Sequence, residues 1–510
     1  MGLRSPIRRT MKQLVVDIET DDLLANLSRM WVLCTRDIDT GEKRHWGPND
    51  GLGWQDHLAD ADVLIGHNII GFDFAALNKL YGWRPAERTA VIDTLIMSKW
   101  LNYRRFGMAG HSLARWGELL GYPKIEFSDW TQYSEEMLVY CEGDCELCSR
   151  VYAVLAAEFG RVSKHNQYAK ALLRAEHDAA QWAADAEVLG WPFDRDAAAE
   201  LYMKIEERVT EISDKLEPML GLKTIPVDMK GGEVEVKEPV ITKRGLYAKY
   251  IAEWFGINPV DALLPGFDIV AGPYCRVKFE PRKLSSVQDV KDWLFGVGWH
   301  PTEWNTKFDP ELKKTVKTSA KITADSLEFL QGDGEMYSEY LMLKSRRDII
   351  RGWLSNCTFD GNCFRVHGTS NVIGTPSMRA THNIIVNVPR VTSKYGSEMR
   401  SLFRSLDGWV QIGADSTSNQ LRGLCYYLGD EDYTKLVMTG DVHTYHENIV
   451  NDIIQQLLNM PPSCTRDDAK RLIYALLFGC GDLKTALYTI HRPDEDAGKI
   501  IKSSFLTRVA

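Results

Sequence analysis

The segment KQLVVDIET, residues 12–20, places the first constraint on the fold. Its β-branched run predicts a strand. Successive strand side chains leave opposite faces, so Asp17 and Glu19 project together from one of them. Two carboxylates fixed side by side at the edge of an apolar run repel each other and lose hydration, which is costly unless positive charge neutralises them. A divalent cation is the natural neutraliser. Residues 30–38 and 42–46 add two more strand-like runs from which a sheet around this acidic edge can be built.

The stretch DVLIGHNIIGFDFAALNKL predicts a buried strand at 63–66, a turn, and a helix beginning near Asp73, so Asn68 and Asp73 fall at a strand-to-helix junction. Further on, YSEEMLVYCEGDCELC predicts a helix capped by Ser134, with acidic residues in its first turn. Tyr140 and Asp144 are four positions apart and share a face of it. Singly, each residue has an ordinary reading: Asp73 as a cap, Asp144 on a solvated face, Tyr140 in the core. Asp93, in VIDTL, reads as a strand-end or helix-capping aspartate, with a further metal ligand as the alternative.

At 510 residues the chain exceeds what one core fills, and 44% hydrophobic with 26% charged residues is ordinary globular composition. No run approaches a membrane span, and the basic leader MGLRSPIRRT, residues 1–10, lacks the apolar centre of a secretion signal. The expectation is a soluble protein with a disordered leader, or one starting at Met11. Ten scattered cysteines fit a reduced cytosolic protein, and the CxxC at Cys145 and Cys148 lacks the second pair a zinc site needs. A net charge of −9 is compatible with a basic groove in a protein that gathers carboxylates around metal ions.

Read together, DIE at 17–19, HNIIGFD at 67–73 and YCEGD at 140–144 resemble the three ordered motifs of the DnaQ-like proofreading exonucleases. That resemblance implies an α/β, ribonuclease H-like domain over 11–163, a mixed sheet with flanking helices. By carry-over, Asp17, Glu19, Asp73 and Asp144 hold two magnesium or manganese ions, Tyr140 orients the attacking water, and Asn68 contacts the DNA strand. The chemistry agrees with this assignment. Phosphodiester hydrolysis must stabilise charge on the attacking and leaving oxygens, which two ions about 3.5–4 Å apart accomplish, and carboxylates suit hard cations.

From residue 169 to 222 the pattern turns helical, broken by GWPFD at 190–194, and looks like a thumb. Residues 222–281 have no single period and read as an insertion. Basic residues then gather, among them Arg347, Arg379 and Arg400, which suit phosphate contact. WVQIGADSTSNQLRGL predicts a strand ending at Asp415 and a helix just after it, and TRDDAKRLIYALLFGCGD a helix with Thr465 and Asp468 as a capping pair. These two stretches resemble motifs A and B of the family A DNA polymerases, most of all the replicative polymerases of short-tailed phages; GTPSMRATHN, RSLFRS and GDVHT add to the likeness. It covers nearly the whole chain from Met11. It implies a mainly α thumb and DNA-contacting region over 164–403, followed by the start of an α+β palm with the fingers helix over 404–510. Asp415 is then a catalytic metal ligand. Arg466 and Lys470, on one helix face with Tyr474, grip the incoming triphosphate while the tyrosine packs near sugar and base.

Two departures qualify the resemblance. Gln420 stands where the family has a glutamate that helps exclude the ribose 2′-hydroxyl, which leaves sugar discrimination open. The family's later His-Asp-Glu hairpin finds no match, since the HRPDED stretch at 491–496 follows the fingers helix too soon and reads as a solvated loop. The expectation is an active exonuclease with weak or absent polymerisation unless a complementing C-terminal fragment joins it. The alternatives are a standalone DNA-trimming nuclease and a non-catalytic DNA-binding subunit of a split polymerase. Expected partners are primer–template, single-stranded 3′ ends and deoxynucleoside triphosphates, with a processivity factor open and no membrane. A phage-encoded protein would work in the host cytoplasm.

Overall fold

The computed structural model describes residues 11–24, 26–107, 110–227, 276–309, 312–327, 330 and 332–509. It divides into two compact units, 1–202 with 348–410 and 203–347 with 411–510.

In the first unit, β1 (Gln13–Thr20) is the central strand of a five-stranded sheet with β2 (Met30–Asp37), β3 (Lys43–Trp46), β4 (Val63–Gly66) and β5 (Ala90–Asp93), in the order β3-β2-β1-β4-β5. The β1–β2 and β2–β3 pairs are antiparallel, and β1–β4 and β4–β5 are parallel. The sheet is therefore mixed, and β1 is buried on both faces. Leu14, Val16 and Ile18 pack with Trp54 and Leu58 of α1 (Gly53–Ala59) and Phe74 and Leu77 of α2 (Asp73–Tyr81). On the other face Val15 joins Met97 of α3 (Thr94–Leu101), Trp116 of α4 (Leu113–Leu120), and Met137, Cys141 and Cys145 of α5 (Glu135–His165).

Asp17 and Glu19 lie on that second face, opposite Cys34 and Val32 of β2, and the register shifts just after Glu19. The strands at 30–37, 43–46 and 63–66 and the helix opening at Asp73 agree with the sequence pattern to within a residue. Helix α6 (Ala169–Leu189) packs Ala180, Ala184 and Val188 against the first of these cores. The thiols of Cys34, Cys141, Cys145 and Cys148 are free and buried, where they pack as small apolar groups.

In the second unit the helices spanning Asn419–Leu428, Glu431–Thr439, Val442–Leu458, Arg466–Leu477, Asp482–Ile490 and Glu495–Val509 pack around Leu421, Val450, Ile453, Leu472, Ile501 and Phe505. Strands Leu222–Val227 and Arg276–Pro281 pair antiparallel at the two ends of the expected insertion. Most of that insertion, residues 228–275, lies outside the described residues, as does the leader.

Two sequence expectations are corrected. The strand predicted to end at Asp415 is absent: residues 409–415 carry no regular structure, and Trp409, Val410 and Ile412 are exposed. A strand exists only through its neighbours, and among the described residues none pairs with this segment. The helix expected after it does form, at Asn419–Leu428. The HRPDED stretch is a loop only to residue 494, because Glu495 and Asp496 form the first turn of the last helix. No helix among the described residues is long and apolar enough to cross a membrane.

Candidate metal centre and nucleotide-binding face

Three elements bring the acidic residues together. β1 supplies Asp17 and Glu19. Asp73 is the first residue of α2 but does not cap it; its Oδ1 accepts a hydrogen bond from the Ile18 backbone N–H at 3.1 Å, which pins the helix start against β1. Asp144 and Tyr140 come from α5, whose start is fixed by Ser134 accepting from the Met137 N–H at 3.2 Å. α5 is tied back to the strand by the Cys141 thiol, which donates to the Asp17 carbonyl at 3.4 Å.

The turn that delivers Asp73 is built on Asp93. Its buried carboxylate accepts from the backbone N–H groups of Asn68, Ile70, Leu95 and Ile96 at 2.9–3.3 Å, and its own N–H donates to His177 Nε2 at 2.8 Å. Asp93 is thus the cap of α3. Replacing it with alanine leaves several buried donors unmatched. The expected loss is about 3 kcal/mol in urea unfolding, with asparagine recovering only part of it.

Carboxylates crowded this way resist ionisation together. Burial first, then the Asp144 charge, pushes the Asp17 carboxyl up to about 7 against the pull of Lys124. Burial and then Asp17 push Glu19 up to about 10. Asp73 is raised well above its usual value by burial and by Asp17, and Asp144 by burial, opposed by Lys124. Asp17 Oδ2 is buried without a hydrogen-bond partner, and the ligand atoms of Asp17, Glu19 and Cys141 all lie within 4.8 Å of one another. An orphaned carboxylate oxygen at the centre of a charge-starved acidic set is the arrangement a hard divalent cation completes. Asp17 and Glu19, with Asp73 and Asp144 around them, are the residues fit to hold one.

A pH dependence follows. Because the folded-state values of Asp17 and Glu19 lie above their unfolded values near 4, between pH 4 and 7 the folded chain keeps protons the unfolded chain has lost. Stability then falls as pH rises. In chelator, the melting temperature is expected to drop by about 5 °C or more between pH 5 and pH 8. Millimolar magnesium should remove most of that drop, and Asp17→Asn should reduce it, leaving the part that Glu19 contributes.

Tyr140 is held by an aromatic cluster, with its ring 5.6 Å from both Phe127 and Trp130, and burial raises its phenol to about 12. Lys124 completes the group. Its ammonium pairs with Asp144 Oδ2 and lies 4.7 Å from the Tyr140 ring centroid. Sequence reasoning passed over this residue, and no periodic signal marks it. Asn68, in the left-handed region at φ 64°, lines a cavity of about 260 Å³ with Lys99, Glu187 and Asn371.

In the second unit Arg466, Lys470 and Tyr474 share one face of the helix Arg466–Leu477, while Ala469, Leu472 and Ile473 are buried on the other. The predicted capping box is present, with the Asp468 N–H donating to Thr465 Oγ1 and the Thr465 N–H to Asp468 Oδ2 at 3.0 Å. Lys470 is exposed, and Arg466 pairs with Asp441 at 2.8 Å. His443 was also passed over, although GDVHT contains it. Its ring is 6.2 Å from that of Tyr474, and its buried Nδ1 has no partner. Asp415 and Gln420 are both exposed. Two of the expected DNA contacts are engaged within the protein: Arg347 pairs with Glu206 at 3.0 Å, and Arg400 donates to the carbonyls of Pro389 and Val388 at 2.6 and 3.2 Å. Arg379 is exposed in the turn that its own backbone closes with Thr375 and Gly374.

No family model matches the chain. Alignment with the DNA-directed DNA polymerase of Escherichia phage T7 gives 28% identity over 581 residues, covering 97% of this chain and 79% of the relative, and that of Enterobacteria phage T3 gives 28% with the same coverage. The chain is a relative of the family A DNA polymerases of T7-type phages. The likeness extends to DNA polymerase I of Chloroflexus aurantiacus, 26% identical over 39% of this chain and 20% of that protein. Among solved structures, the POL domain of Pol1 from M. smegmatis, in complex with DNA primer–template and dNTP, superposes with a TM-score of 0.62 at 14% identity, covering 98% of this chain and 73% of that one. At that identity the superposition speaks for the fold alone.

Proposed function

We propose that the chain is a phage replicative DNA polymerase whose first unit is a 3′→5′ proofreading exonuclease. The observation that carries the nuclease reading is the close approach of the Asp17 and Glu19 ligand atoms, within 4.8 Å of each other, with Asp17 Oδ2 orphaned and the charges of Asp73 and Asp144 acting on the pair. The mixed five-stranded sheet with flanking helices supports a ribonuclease H-like assignment. Two divalent ions, magnesium or manganese, would lower the pKa of the attacking water and stabilise the departing 3′ oxygen. Tyr140, held neutral by its raised pKa, orients the water. The four carboxylates fix the ligand geometry, and the sheet and α5 keep it rigid. Asn68 contacts the terminal nucleotides.

In the second unit Lys470 and Arg466 bind the triphosphate, Tyr474 packs near sugar and base, and His443 adds a buried imidazole beside them. Asp415 is the proposed metal ligand of nucleotide addition, Gln420 borders the sugar, and Arg379 is the proposed contact to the primer–template backbone. The host cytoplasm is the proposed place of action.

A second reading, in which the nuclease is the working centre and the polymerase-like region holds primer–template, is favoured by one observation. Asp415 is exposed in a segment without regular structure, and among the described residues the group with metal-ligand spacing is Asp17, Glu19 and Cys141. A 5′-labelled primer–template incubated with magnesium, with and without deoxynucleotides, separates the readings. Shortening in both conditions supports the nuclease-centred one. Shortening without nucleotides and extension with them supports the polymerase with proofreading. No shortening in either condition refutes the exonuclease.

A further inference from the structure

Lys124 occupies an unusual place. Its segment, residues 122–134, links α4 to α5 without regular structure, yet it carries its ammonium into the acidic cluster. There the ammonium pairs with Oδ2 of the buried Asp144 and lies 4.7 Å from the Tyr140 ring centroid. It is the cation that offsets the charges of Asp17, Glu19 and Asp144 alike. A lysine on a carboxylate oxygen and a divalent ion on the same oxygen exclude each other in part, because both claim its lone pairs and the two cations repel. The lysine is also built to leave. Its stem is four flexible carbons, and a quarter of its side chain is still solvent-exposed. The proposed substrate brings an anion that can receive it, since phosphate oxygens are strong acceptors for an ammonium.

We propose that Lys124 is a positioning residue that guards Asp144: without DNA its ammonium holds the Asp144 carboxylate, and the phosphodiester at an arriving 3′ end draws the ammonium away, freeing Asp144 for a divalent cation. The proposal rests on the exonuclease reading. It makes cation binding at Asp144 conditional on substrate, which keeps an empty site from filling its last carboxylate. The same ammonium then lies beside the phosphate that is to be cleaved.

The test is manganese binding to the full chain, followed by electron paramagnetic resonance, with and without an oligonucleotide whose 3′-terminal linkage is a hydrolysis-resistant phosphorothioate. Losing one charge-assisted hydrogen bond changes such an affinity roughly tenfold or more. Lys124→Gln should therefore bind manganese about tenfold more tightly than wild type without DNA. The oligonucleotide should tighten binding clearly in wild type and little in the variant. Lys124→Arg, which keeps the charge, should behave as wild type. A role limited to packing the loop predicts no gain. A folded Lys124→Gln chain that binds manganese no more tightly than wild type, or that keeps the full response to DNA, overturns the proposal. Should glutamine unfold the loop, Lys124→Met retains the apolar stem and is judged by the same criteria. Failure of the underlying reading looks different: manganese affinity unchanged by Asp17→Asn means that no metal centre exists here, whatever Lys124 does.

Discussion

Asp17→Asn and Glu19→Gln are expected to lower removal of 3′-terminal nucleotides by at least about a thousandfold each, while leaving the affinity for single-stranded DNA within roughly twofold. The size follows from the task proposed for these carboxylates. Stabilising charge on the attacking and leaving oxygens is worth several kcal/mol, and each 1.36 kcal/mol of barrier is a factor of ten. The direction of the stability change is the opposite of the usual one for a buried charge. Asp17 is held up to about 7 and Glu19 to about 10 because burial and mutual repulsion disfavour their ionised forms. In chelator at pH 8 the neutral amides should therefore unfold at a higher temperature than wild type, even as activity vanishes. Gel assays of a 5′-labelled strand measure the first effect and melting curves the second. An active, destabilised Asp17→Asn chain would contradict both.

Lys470→Ala is expected to weaken deoxynucleoside triphosphate binding to the chain on primer–template by roughly ten- to a hundredfold, the range for losing a hydrogen bond between charged groups. Lys470 stands exposed on the same helix face as Tyr474, and the buried face of that helix keeps it in register. Arg466→Ala should cost less, because Arg466 is already paired with Asp441, and a triphosphate must displace that carboxylate before it gains the arginine. Calorimetric titration of a triphosphate into the protein–DNA complex measures both. Equal losses for the two variants would mean that the Asp441 pair breaks without cost, and no loss for Lys470→Ala would remove this face from nucleotide binding.

Much of the first unit was legible because its signals are local. Alternation in QLVVDIET gave both the strand and the shared face of Asp17 and Glu19, and Ser134 and Thr465 announced their helices through side-chain caps that the structure contains. Asp93 was read correctly as a cap, but its four backbone bonds to two separate segments could not be counted from the chain. What failed to appear in the sequence depends on partners distant along it. Residues 409–415 have strand-like composition and no strand, since pairing needs a neighbour that composition does not supply. Lys124 is one lysine in an irregular loop, given meaning only by the helix that carries Asp144. Arg400 looked like a phosphate contact and is engaged by carbonyls eleven and twelve residues before it.

The most direct measurement is a manganese-soaked crystal of the chain with a phosphorothioate-ended oligonucleotide, viewed through the anomalous scattering of the metal. Two manganese peaks about 3.5–4 Å apart, held by carboxylates of the set Asp17, Glu19, Asp73 and Asp144, are the predicted result. A strand bound in the first unit with no metal at these carboxylates would contradict the account at its centre.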